Sequence, residues 1–258
     1  MHRDRRRVGA VSPSPQVVAG RRAALEAVRS GRASEVLVAA GSRATPGLRE
    51  LLAAVQEAGV RLREVPRAEL DRVASDHHGV VTRVTVAREL SERELATWPF
   101  GEDALVVVLD GVTDPQNLGA AARSAEAAGA AMLVTRVRRS AAVTPAAVRA
   151  SSGALLHLPH ARVANVAKAI GRLQDAGFFV VGLDGQAPIT VYDEPCPAGR
   201  VALVLGGEGQ GLSRLVRGSC DALVALPMAG RVASLNASAA LAAVLYAYVV
   251  PSRPRTRA

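Results

Sequence analysis

The sequence predicts an α/β protein in which a parallel β-sheet is covered by helices on both faces and is preceded by a smaller α/β domain. The first observation is a series of apolar runs of strand length, at residues 105–109, 132–135, 178–183, 201–205 and 223–226. These runs are apolar without interruption, as expected of strands buried on both faces, which occur in parallel sheets. Segments with helical periodicity separate or follow them, at residues 118–128, 163–176, 212–217 and 235–249.

The first part of the chain alternates between the same two patterns over shorter segments. Helical periodicity is present at residues 18–29, 46–58 and 67–73, and strand-like runs at residues 36–38, 60–65 and 80–86. Together they predict a compact α/β domain at residues 16–87. The larger domain is expected at residues 104–250.

Three segments lie outside these two domains. Residues 1–15 and 251–258 are rich in arginine, serine and proline. Such segments bury too little apolar surface to fold alone, so we expect a flexible basic arm and a basic tail that attract phosphate. Residues 88–103 are charge-rich without strong periodicity and predict a linker.

The amino-acid composition is that of a folded protein with positive charge. Hydrophobic residues make up 49% of the chain and charged residues 21%, which excludes an intrinsically disordered protein. The formal net charge is +9, and Lys168 is the only lysine. Arginine presents a planar fork of donors that suits phosphate, so the surplus favours a nucleic-acid partner, although a GC-rich genome gives the same bias. Aromatic residues are only 3%, which argues against RNA recognition by stacking rings.

Several other classes of protein are excluded. The longest apolar stretch, residues 237–250, is too short to span a bilayer, which needs roughly 18 residues, and no secretory signal is recognisable. Cys196 and Cys220 are expected to be free thiols in a reducing compartment, and we expect a cytoplasmic protein. His157 and His160 have no cysteine or acidic partners nearby in the sequence, so we expect no metal site.

The first segment with candidate chemistry follows the strand at 105–109. It has the sequence Asp-Gly-Val-Thr-Asp-Pro-Gln-Asn-Leu-Gly at residues 110–119 and leads into a helix that contains Arg123. Polar residues at the carboxyl end of a parallel strand lie where open α/β sheets bind ligands. The interpretation without a function is that Asn117 caps the helix and that Arg123 lies on the surface. The alanines around Arg123 instead favour a place in a tightly packed interior wall.

The second segment is the loop Gly-Gly-Glu-Gly-Gln-Gly at residues 206–211, directly after the strand at 201–205. It does not fit the dinucleotide fingerprint, because Leu212 stands where the third glycine is required. It is no P-loop either, because no lysine followed by serine or threonine is present. A plain turn is the default interpretation, but exposed backbone amides and Glu208 at its centre favour a ligand site.

The third segment follows the last strand, at residues 226–238, and has the sequence Leu-Pro-Met-Ala-Gly-Arg-Val-Ala-Ser-Leu-Asn-Ala-Ser. Ser234 and Asn236 stand where the last helix begins, and a helix start presents unpaired N–H groups. Capping accounts for one of these side chains but not for a Ser-x-Asn-x-Ser cluster, which therefore indicates function.

Together the three segments resemble the three motifs of the SpoU (TrmH-like) branch of the SPOUT RNA methyltransferases. Residues 114–123, 203–212 and 226–238 match these motifs in order, in spacing and in their position after strands. The resemblance implies a C-terminal segment that threads through a loop in a deep trefoil knot, which ordinary connection rules would exclude. It also implies a homodimer that uses S-adenosylmethionine, without a metal, to methylate a ribose 2′-hydroxyl of RNA.

The resemblance further implies which residues form the site. The catalytic cluster that it implies is Asn117, Arg123, Glu208, Ser234 and Asn236. The cofactor-binding residues that it implies are Leu205, Gly206, Gly207, Gly211, Leu226, Met228, Ser234 and Leu235. The family proposal makes Arg123 a general base, but a guanidinium normally stays protonated, and Glu208 nearby would favour the cation. We therefore expect Arg123 to orient the hydroxyl and to stabilise alkoxide charge.

The first domain resembles the ribosomal-protein-like substrate domain of the RlmB subgroup. Residues 18–23 and the sequence Asp-His-His-Gly-Val at 76–80 carry this resemblance, with His78 where the subgroup usually has glutamine. It implies methylation of a guanosine in 23S rRNA. The alternatives are a tRNA ribose methylase, an antibiotic self-resistance rRNA methylase and a non-catalytic RNA-binding or ribosome-assembly protein. The intact catalytic cluster argues against the non-catalytic alternative. The arginines that we expect to contact RNA are Arg21, Arg22, Arg136, Arg138, Arg139 and Arg149.

Overall fold

The computed structural model describes residues 15–85, 89–207, 209, 211–232 and 234–252. Residues 1–14 of the predicted arm, residues 253–258 of the predicted tail, the predicted domain boundary at residue 87 and Glu208 lie outside the described residues. Pro15, which the sequence places in the arm, begins the first strand.

The N-terminal sheet has four strands in the order β1-β4-β2-β3. These strands are β1 (Pro15–Ala19), β2 (Ala33–Ala39), β3 (Arg61–Val65) and β4 (Val80–Thr85). The helices are α1 (Arg21–Arg29), α2 (Pro46–Glu57) and α3 (Arg67–Val73). β1 and β2 pair antiparallel with β4, and β3 runs parallel to β2. The three predicted strands and the second and third predicted helices are confirmed, with shifts of up to a few residues at their ends.

The predicted start of the first helix is wrong. Val18 lies in β1, where it pairs with Thr82 of β4, and the helix begins only at Arg21. Val18 is seven residues before Leu25 and therefore fits the helical period as well as a strand. The signal that separates the two elements is Gly20, whose φ of +96° is a conformation that glycine adopts readily.

The C-terminal sheet has six strands, all parallel, in the order β10-β8-β9-β5-β6-β7. Its strands are β5 (Leu105–Asp110), β6 (Met132–Arg136), β7 (His160–Val163), β8 (Phe179–Leu183), β9 (Val201–Gly206) and β10 (Ala222–Val224). Its helices are α5 (Pro115–Ala127), α6 (Pro145–Ala150), α7 (Val166–Asp175), α8 (Arg214–Ser219) and α9 (Ala237–Val244). The predicted α/β architecture with a parallel sheet is confirmed.

This sheet is buried on both faces, as the uninterrupted apolar runs predict. In β5, Leu105, Val107 and Leu109 join the apolar core on one face. Val106 and Val108 join the core on the other face. Successive side chains of a strand point to opposite faces, so a strand between two cores has no position that favours a polar residue.

The sequence patterns do not predict β7 and α6. β7 lies at the edge of the sheet, and His160 and Arg162 interrupt its apolar run. α6 has only six residues, too few for a periodic signal. Its start nevertheless has a recognisable cap, because Thr144 Oγ1 accepts a hydrogen bond from the Ala147 N–H over 3.3 Å and Pro145 occupies the first turn.

The last helix begins at Ala237, two residues later than predicted, because Asn236 caps it. The helix continues as a π-helical turn at Leu245–Val249 and a short 3₁₀ turn. Within the described ranges, no helix combines the length and apolarity needed to cross a membrane. The trefoil knot that the family resemblance implies stays a prediction.

The segment expected to be a linker contains a helix and packs on the C-terminal sheet. Helix α4 (Glu92–Ala96) begins with a capping box between Ser91 and Glu94, which is a sequence signal for a helix start. Leu90 bridges to β7 through backbone hydrogen bonds of 2.8 and 2.9 Å. Phe100 contacts Phe178 edge to face, with ring centroids 4.8 Å apart. Residues 89–103 therefore extend the larger domain.

The two domains share one apolar core. Val18 and Ala27 of the first domain belong to the same buried cluster as Val148 of the second. The turn after α6 approaches α1 so closely that a Cβ atom at Gly153 would lie 2.6 Å from the Cβ of Glu26. Because apolar packing of this kind tolerates little movement, the first domain is held in one position against the second.

Candidate active site

The three segments that the sequence singles out lie at one edge of the C-terminal sheet. They follow β5, β9 and β10, and in a parallel sheet the carboxyl ends of all strands lie at the same edge. This edge is where open α/β sheets bind their ligands. Two cavities are present there, and they share Gly207 and Gly211.

The first cavity has a volume of about 590 Å³ and lies between the loops after β8, β9 and β10 and the start of α9. Its volume is within the range of roughly 300–1,000 Å³ that is typical of small-ligand sites. All eight residues implied for cofactor binding line it: Leu205, Gly206, Gly207, Gly211, Leu226, Met228, Ser234 and Leu235. Leucine side chains give it apolar walls, and the glycines leave backbone amides accessible.

Two glycines in this cavity wall are required by close backbone approach. A Cβ atom at Gly206 would lie 2.0 Å from the carbonyl carbon of Gly211, and one at Gly207 would lie 2.4 Å from the carbonyl oxygen of Gly111. Both obstacles are backbone atoms, which cannot rotate away. The loop after β9 can therefore close on itself and on the loop after β5 only when both positions lack a side chain.

Asp184 is a charged residue in the wall of this cavity that the sequence analysis missed. It follows β8 directly, as the other site residues follow their strands, so the same rule would have found it. Its carboxylate pairs with Arg217 Nε over 2.9 Å, which fixes the side chain at the cavity wall.

A cluster of hydrogen bonds joins the first segment to the third. Asn236 Nδ2 donates to Asn117 Oδ1 over 2.9 Å. Asn236 Oδ1 accepts hydrogen bonds from the backbone N–H groups of Ser238 and Ala239, so its amide can have only one orientation. Asn117 is almost fully buried. The two asparagines, which the sequence analysis assigns to one cluster, are therefore in contact across the edge of the sheet.

Ser238 is a further member of the cluster that the predicted catalytic residues leave out. Its hydroxyl lies 2.7 Å from Asn236 Oδ1 and 3.4 Å from Asn117 Oδ1. The Ser-x-Asn-x-Ser pattern contained the signal for it. The structure thus places a hydroxyl beside both amides.

The second cavity has a volume of about 530 Å³ and is more polar. Asp110, Asn117, Arg136, Arg139 and Arg214 line it, with residues of the loop after β5. Asp110 is buried and pairs with Arg136 over 3.3 Å, while it also accepts the Ser213 N–H over 3.3 Å.

The two asparagines stand at the boundary between these cavities. Asn236 lines the first cavity and Asn117 lines the second, and the hydrogen bond between them crosses from one to the other. Ser234 also lines the first cavity. Glu208 lies outside the described residues, but its neighbours Gly207 and Gly209 both line the first cavity.

Arg123 does not occupy the interior wall that the alanines around it suggested. Ala121, Ala122 and Ala125 are buried, but Arg123 is exposed and lines neither cavity. Six helical residues correspond to 600°, so Arg123 points about a third of a turn away from Asn117. No hydrogen bond or ion pair joins it to another of the described residues. In a single chain it is therefore separate from the asparagine cluster.

The arginines expected to contact RNA fall into two groups. Arg136 and Arg139 line the second cavity, and the exposed Arg138 lies between them in sequence. The second group, in a third cavity of about 490 Å³ at the domain boundary, consists of Arg21, Arg22 and Arg149.

The two cysteines and His160 are buried or half-buried, and their surroundings favour a structural role over a reactive one. Burial, with the nearby charges of Asp221 and Asp110, raises the pKa of the Cys220 thiol to about 12, and Cys196 is buried. Burial and the charge of Arg162 lower the pKa of His160 to about 4. Within the described residues, no three His, Cys, Asp or Glu side chains are grouped so as to hold a metal ion.

Comparison with known families assigns a class to this architecture. A family model described as RNA 2′-O ribose methyltransferase substrate binding matches residues 17–90, and the model of the SpoU rRNA methylase family matches residues 104–246. The two matches define a two-domain RNA ribose methyltransferase. The chain belongs to the SpoU rRNA methylase family.

Curated relatives agree with this assignment. A tRNA/rRNA methyltransferase of Mycolicibacterium vanbaalenii, itself uncharacterised, is 41% identical over 235 residues, which are 89% of this chain and 74% of that protein. The 23S rRNA (guanosine-2′-O-)-methyltransferase RlmB of Photobacterium profundum is 40% identical over 202 residues, which are 77% of this chain and 82% of that protein.

Solved structures show the same fold over nearly the whole chain. The SpoU methyltransferase AviRb from Streptomyces viridochromogenes, in complex with S-adenosylmethionine, aligns with a TM-score of 0.74 at 31% identity, covering 92% of this chain and 89% of AviRb. An RNA 2′-O ribose methyltransferase aligns with a TM-score of 0.75 at 26% identity, covering 92% of this chain and 88% of that one. The chain is an RNA 2′-O-methyltransferase that uses S-adenosylmethionine.

Proposed function

We propose that this chain transfers a methyl group from S-adenosylmethionine to the 2′-hydroxyl of a guanosine in 23S rRNA. The observation that carries the proposal is the 40% identity to a 23S rRNA (guanosine-2′-O-)-methyltransferase. Both family models match the chain, one on each domain, which supports an RNA substrate held by the first domain and modified by the second.

The cofactor site in this proposal is the cavity of about 590 Å³ at the ends of β8, β9 and β10. The apolar walls from Leu205, Leu226 and Leu235 suit an adenine ring, and the glycine amides suit the polar groups of the amino-acid part. When bound, the cofactor supplies an electrophilic methyl group carried on a positively charged sulfur.

The polar cluster at the cavity boundary orients the acceptor hydroxyl. Asn117, Asn236 and Ser238 are held by one another and by the start of α9, so they need no rearrangement to present polar atoms at one place. Fixed positioning of this kind removes much of the entropic barrier to transfer. Glu208 and Ser234 are assigned to the same site on the family resemblance, and the second cavity holds the target nucleotide.

Arg123 orients the hydroxyl or its neighbouring phosphate and stabilises developing alkoxide charge rather than acting as a base. A guanidinium holds its proton too tightly to act as a base at neutral pH. Because Arg123 is exposed and lines neither cavity of its own chain, we place it in the site of a partner protomer.

The active form in this proposal is therefore a homodimer. Val232, Leu235 and Tyr246, all in the C-terminal segment, are 64%, 45% and 52% exposed in the single chain, and several exposed apolar side chains on one segment suit a protein interface. A second copy packed on this C-terminal segment covers them. Mixed dimers test the arrangement: combining Arg123→Ala with Asn117→Ala protomers should restore activity if each site takes one residue from each chain. If the mixture of the two inactive variants also has no activity, the shared-site arrangement is refuted.

The direct test of the activity incubates purified protein and radiolabelled S-adenosylmethionine with protein-free 23S rRNA and, in a parallel reaction, with tRNA. The expected product after nuclease digestion is 2′-O-methylguanosine. Label in tRNA rather than 23S rRNA would transfer the proposal to the tRNA alternative. Label on a base rather than a ribose would refute it. We also propose a cytoplasmic location, because the proposed 23S rRNA substrate lies in that compartment.

A further inference from the structure

The third cavity, of about 490 Å³, lies between the two domains and takes residues from both. The first domain contributes Arg21 and Arg22 at the start of α1, and Asp76 and His78 from the loop before β4. The second domain contributes Arg149 near the end of α6. Neither domain alone forms this cavity.

The charge of this interdomain cavity is positive and is not neutralised by the protein. Arg21, Arg22 and Arg149 have no ion pair with a carboxylate among the described residues, although Asp76 is also in the lining. Three other half-buried arginines, Arg136, Arg162 and Arg172, pair with Asp110, Glu89 and Glu92, respectively. The half-buried Arg200 has no carboxylate partner among the described residues, but it donates three hydrogen bonds to backbone carbonyls. Arg21 and Arg149 are half-buried and Arg22 is exposed. Three guanidinium ions that line one cavity without a paired carboxylate are suited to an anion.

The first of these arginines is held in place. Arg21 Nη1 donates to Thr45 Oγ1 over 2.8 Å, and Thr45 is itself fixed as the cap of α2. Arg21 Nε is buried without a hydrogen-bond partner within the described part of the chain. Fixing the guanidinium beforehand reduces the entropy lost when an anion binds.

The loop on the opposite side of the cavity is held by a buried histidine. His77 Nδ1 accepts the Gly79 N–H over 3.0 Å, so its Nε2 carries the proton that is donated to Asp71 Oδ1 over 2.8 Å. Asp76 and His78 on either side have φ values of +52° and +47°, in the left-handed region that Asp and His adopt more often than most other residues with side chains.

We infer that the interdomain cavity binds a phosphodiester of the RNA substrate. The inference rests on the proposed function and extends it, because it assigns a contact that bridges the two domains. Planar guanidinium forks match phosphate oxygens, and an RNA backbone presents phosphates without sequence information. Since the domains share one core, a phosphate bound here lies at a fixed distance from the cofactor cavity and sets which ribose reaches it.

The test measures binding of a fluorescein-labelled RNA stem–loop to the full chain by anisotropy over a series of salt concentrations. The variants are Arg22→Gln and Arg149→Gln, one from each domain, and the matched control is the exposed Arg93→Gln on α4. Loss of one phosphate contact should weaken binding about tenfold and reduce the slope of log K against log salt by about 0.7–0.9. The control should leave both values unchanged.

The salt slopes and two further measurements, phosphate competition and calorimetry, make the outcome decisive. Slopes of both variants equal to that of the control would overturn the inference, as would a wild-type chain that binds no RNA. Inorganic phosphate is added as a competitor of RNA at constant ionic strength. If phosphate competes but the variants bind RNA as tightly as the wild type, the cavity is a site for free anions only, and the inference is overturned. Calorimetry with S-adenosylmethionine separates the two claims: cofactor binding should be unchanged in the variants, whereas no binding to the wild type would contradict the proposed function instead.

Discussion

The side-chain amide of Asn236 donates a hydrogen bond to Oδ1 of Asn117 over 2.9 Å and so joins residues 119 positions apart in the sequence. One end of this bond is the cap of α9, and the other lies in the first turn of α5. The bond also crosses the boundary between the apolar cavity proposed for the cofactor and the polar cavity beside it. Any ribose placed between the two cavities meets this pair.

Replacing Asn236 tests whether this bond serves activity beyond its structural role. Asn236→Asp keeps the oxygen that caps α9 but puts a carboxylate oxygen in place of the donor to Asn117 Oδ1. We expect about a hundredfold loss of kcat and a free energy of unfolding lowered by about 1 kcal/mol. Asn236→Ala loses the cap as well and should lower the free energy of unfolding by about 1 kcal/mol more. Calorimetry and methyl transfer measure the two effects. Full activity of Asn236→Asp would show that the bond is dispensable for catalysis.

The glycines of the loop after β9 should not tolerate a methyl group. Gly206→Ala places a Cβ atom 2.0 Å from the Gly211 carbonyl carbon, so the loop must move and the first cavity must change shape. We expect S-adenosylmethionine binding to weaken at least tenfold and stability to fall by roughly 1–3 kcal/mol. Gly218→Ala is the control, because a Cβ atom there has no neighbour within 4 Å. Isothermal calorimetry measures the affinity of each variant for S-adenosylmethionine. Equal affinities of the two variants would disprove the steric explanation for Gly206.

Arg123→Lys separates the two roles of Arg123. Lysine keeps the positive charge but has a lower pKa and lacks the guanidinium fork. If Arg123 orients the substrate, as we expect, the lysine variant is inactive at every pH. If Arg123 is instead the base, methyl transfer by the variant returns as the pH rises towards the lysine pKa. A pH–rate profile with cofactor affinity measured in parallel distinguishes these outcomes.

His160 should make the protein less stable in acid. Its pKa is lowered from 6.5 to about 4 by burial and by Arg162, so between these values the unfolded chain binds more protons than the folded one. The stabilisation is complete above pH 6.5 and declines as the pH falls, with roughly 3 kcal/mol lost by about pH 4.

The matched variant for this prediction is His160→Gln, which keeps a polar group near Thr135 Oγ1, the partner of His160 Nε2 at 2.8 Å. Urea unfolding at about pH 7 and pH 4.5 gives the pH dependence of each protein. The variant should lose less stability on acidification than the wild type. An equal loss in both would assign the acid sensitivity to other groups.

Much of the fold could be predicted from the sequence because parallel strands that are buried on both faces consist of uninterrupted apolar residues, as in β5. Strands at the edges of the sheets lack this pattern and could not be predicted in the same way. In β7 the buried His160 hydrogen-bonds through Nε2 to Thr135 Oγ1, while its Nδ1 has no partner among the described residues. This tertiary contact lowers the cost of a polar residue that interrupts the apolar pattern of the strand. β1 was missed because Val18 fits two periods at once, and only Gly20 marks the boundary.

The site could be predicted where chain topology decides it. Asn117 and Asn236 meet because both follow parallel strands whose carboxyl ends share one edge. The direction of Arg123 could not be predicted, because alanines surround both the buried and the exposed faces of α5. Asp184 satisfied the same strand-end rule but belonged to no recognised motif.

The most direct test of the central claim is a map of ribose methylation in 23S rRNA from strains with and without this gene. The proposal predicts that one guanosine loses its 2′-O-methyl group in the deletion strain and regains it when the wild-type gene, but not the Asn236→Asp variant, is returned. Identical ribose methylation of 23S rRNA in both strains would contradict it.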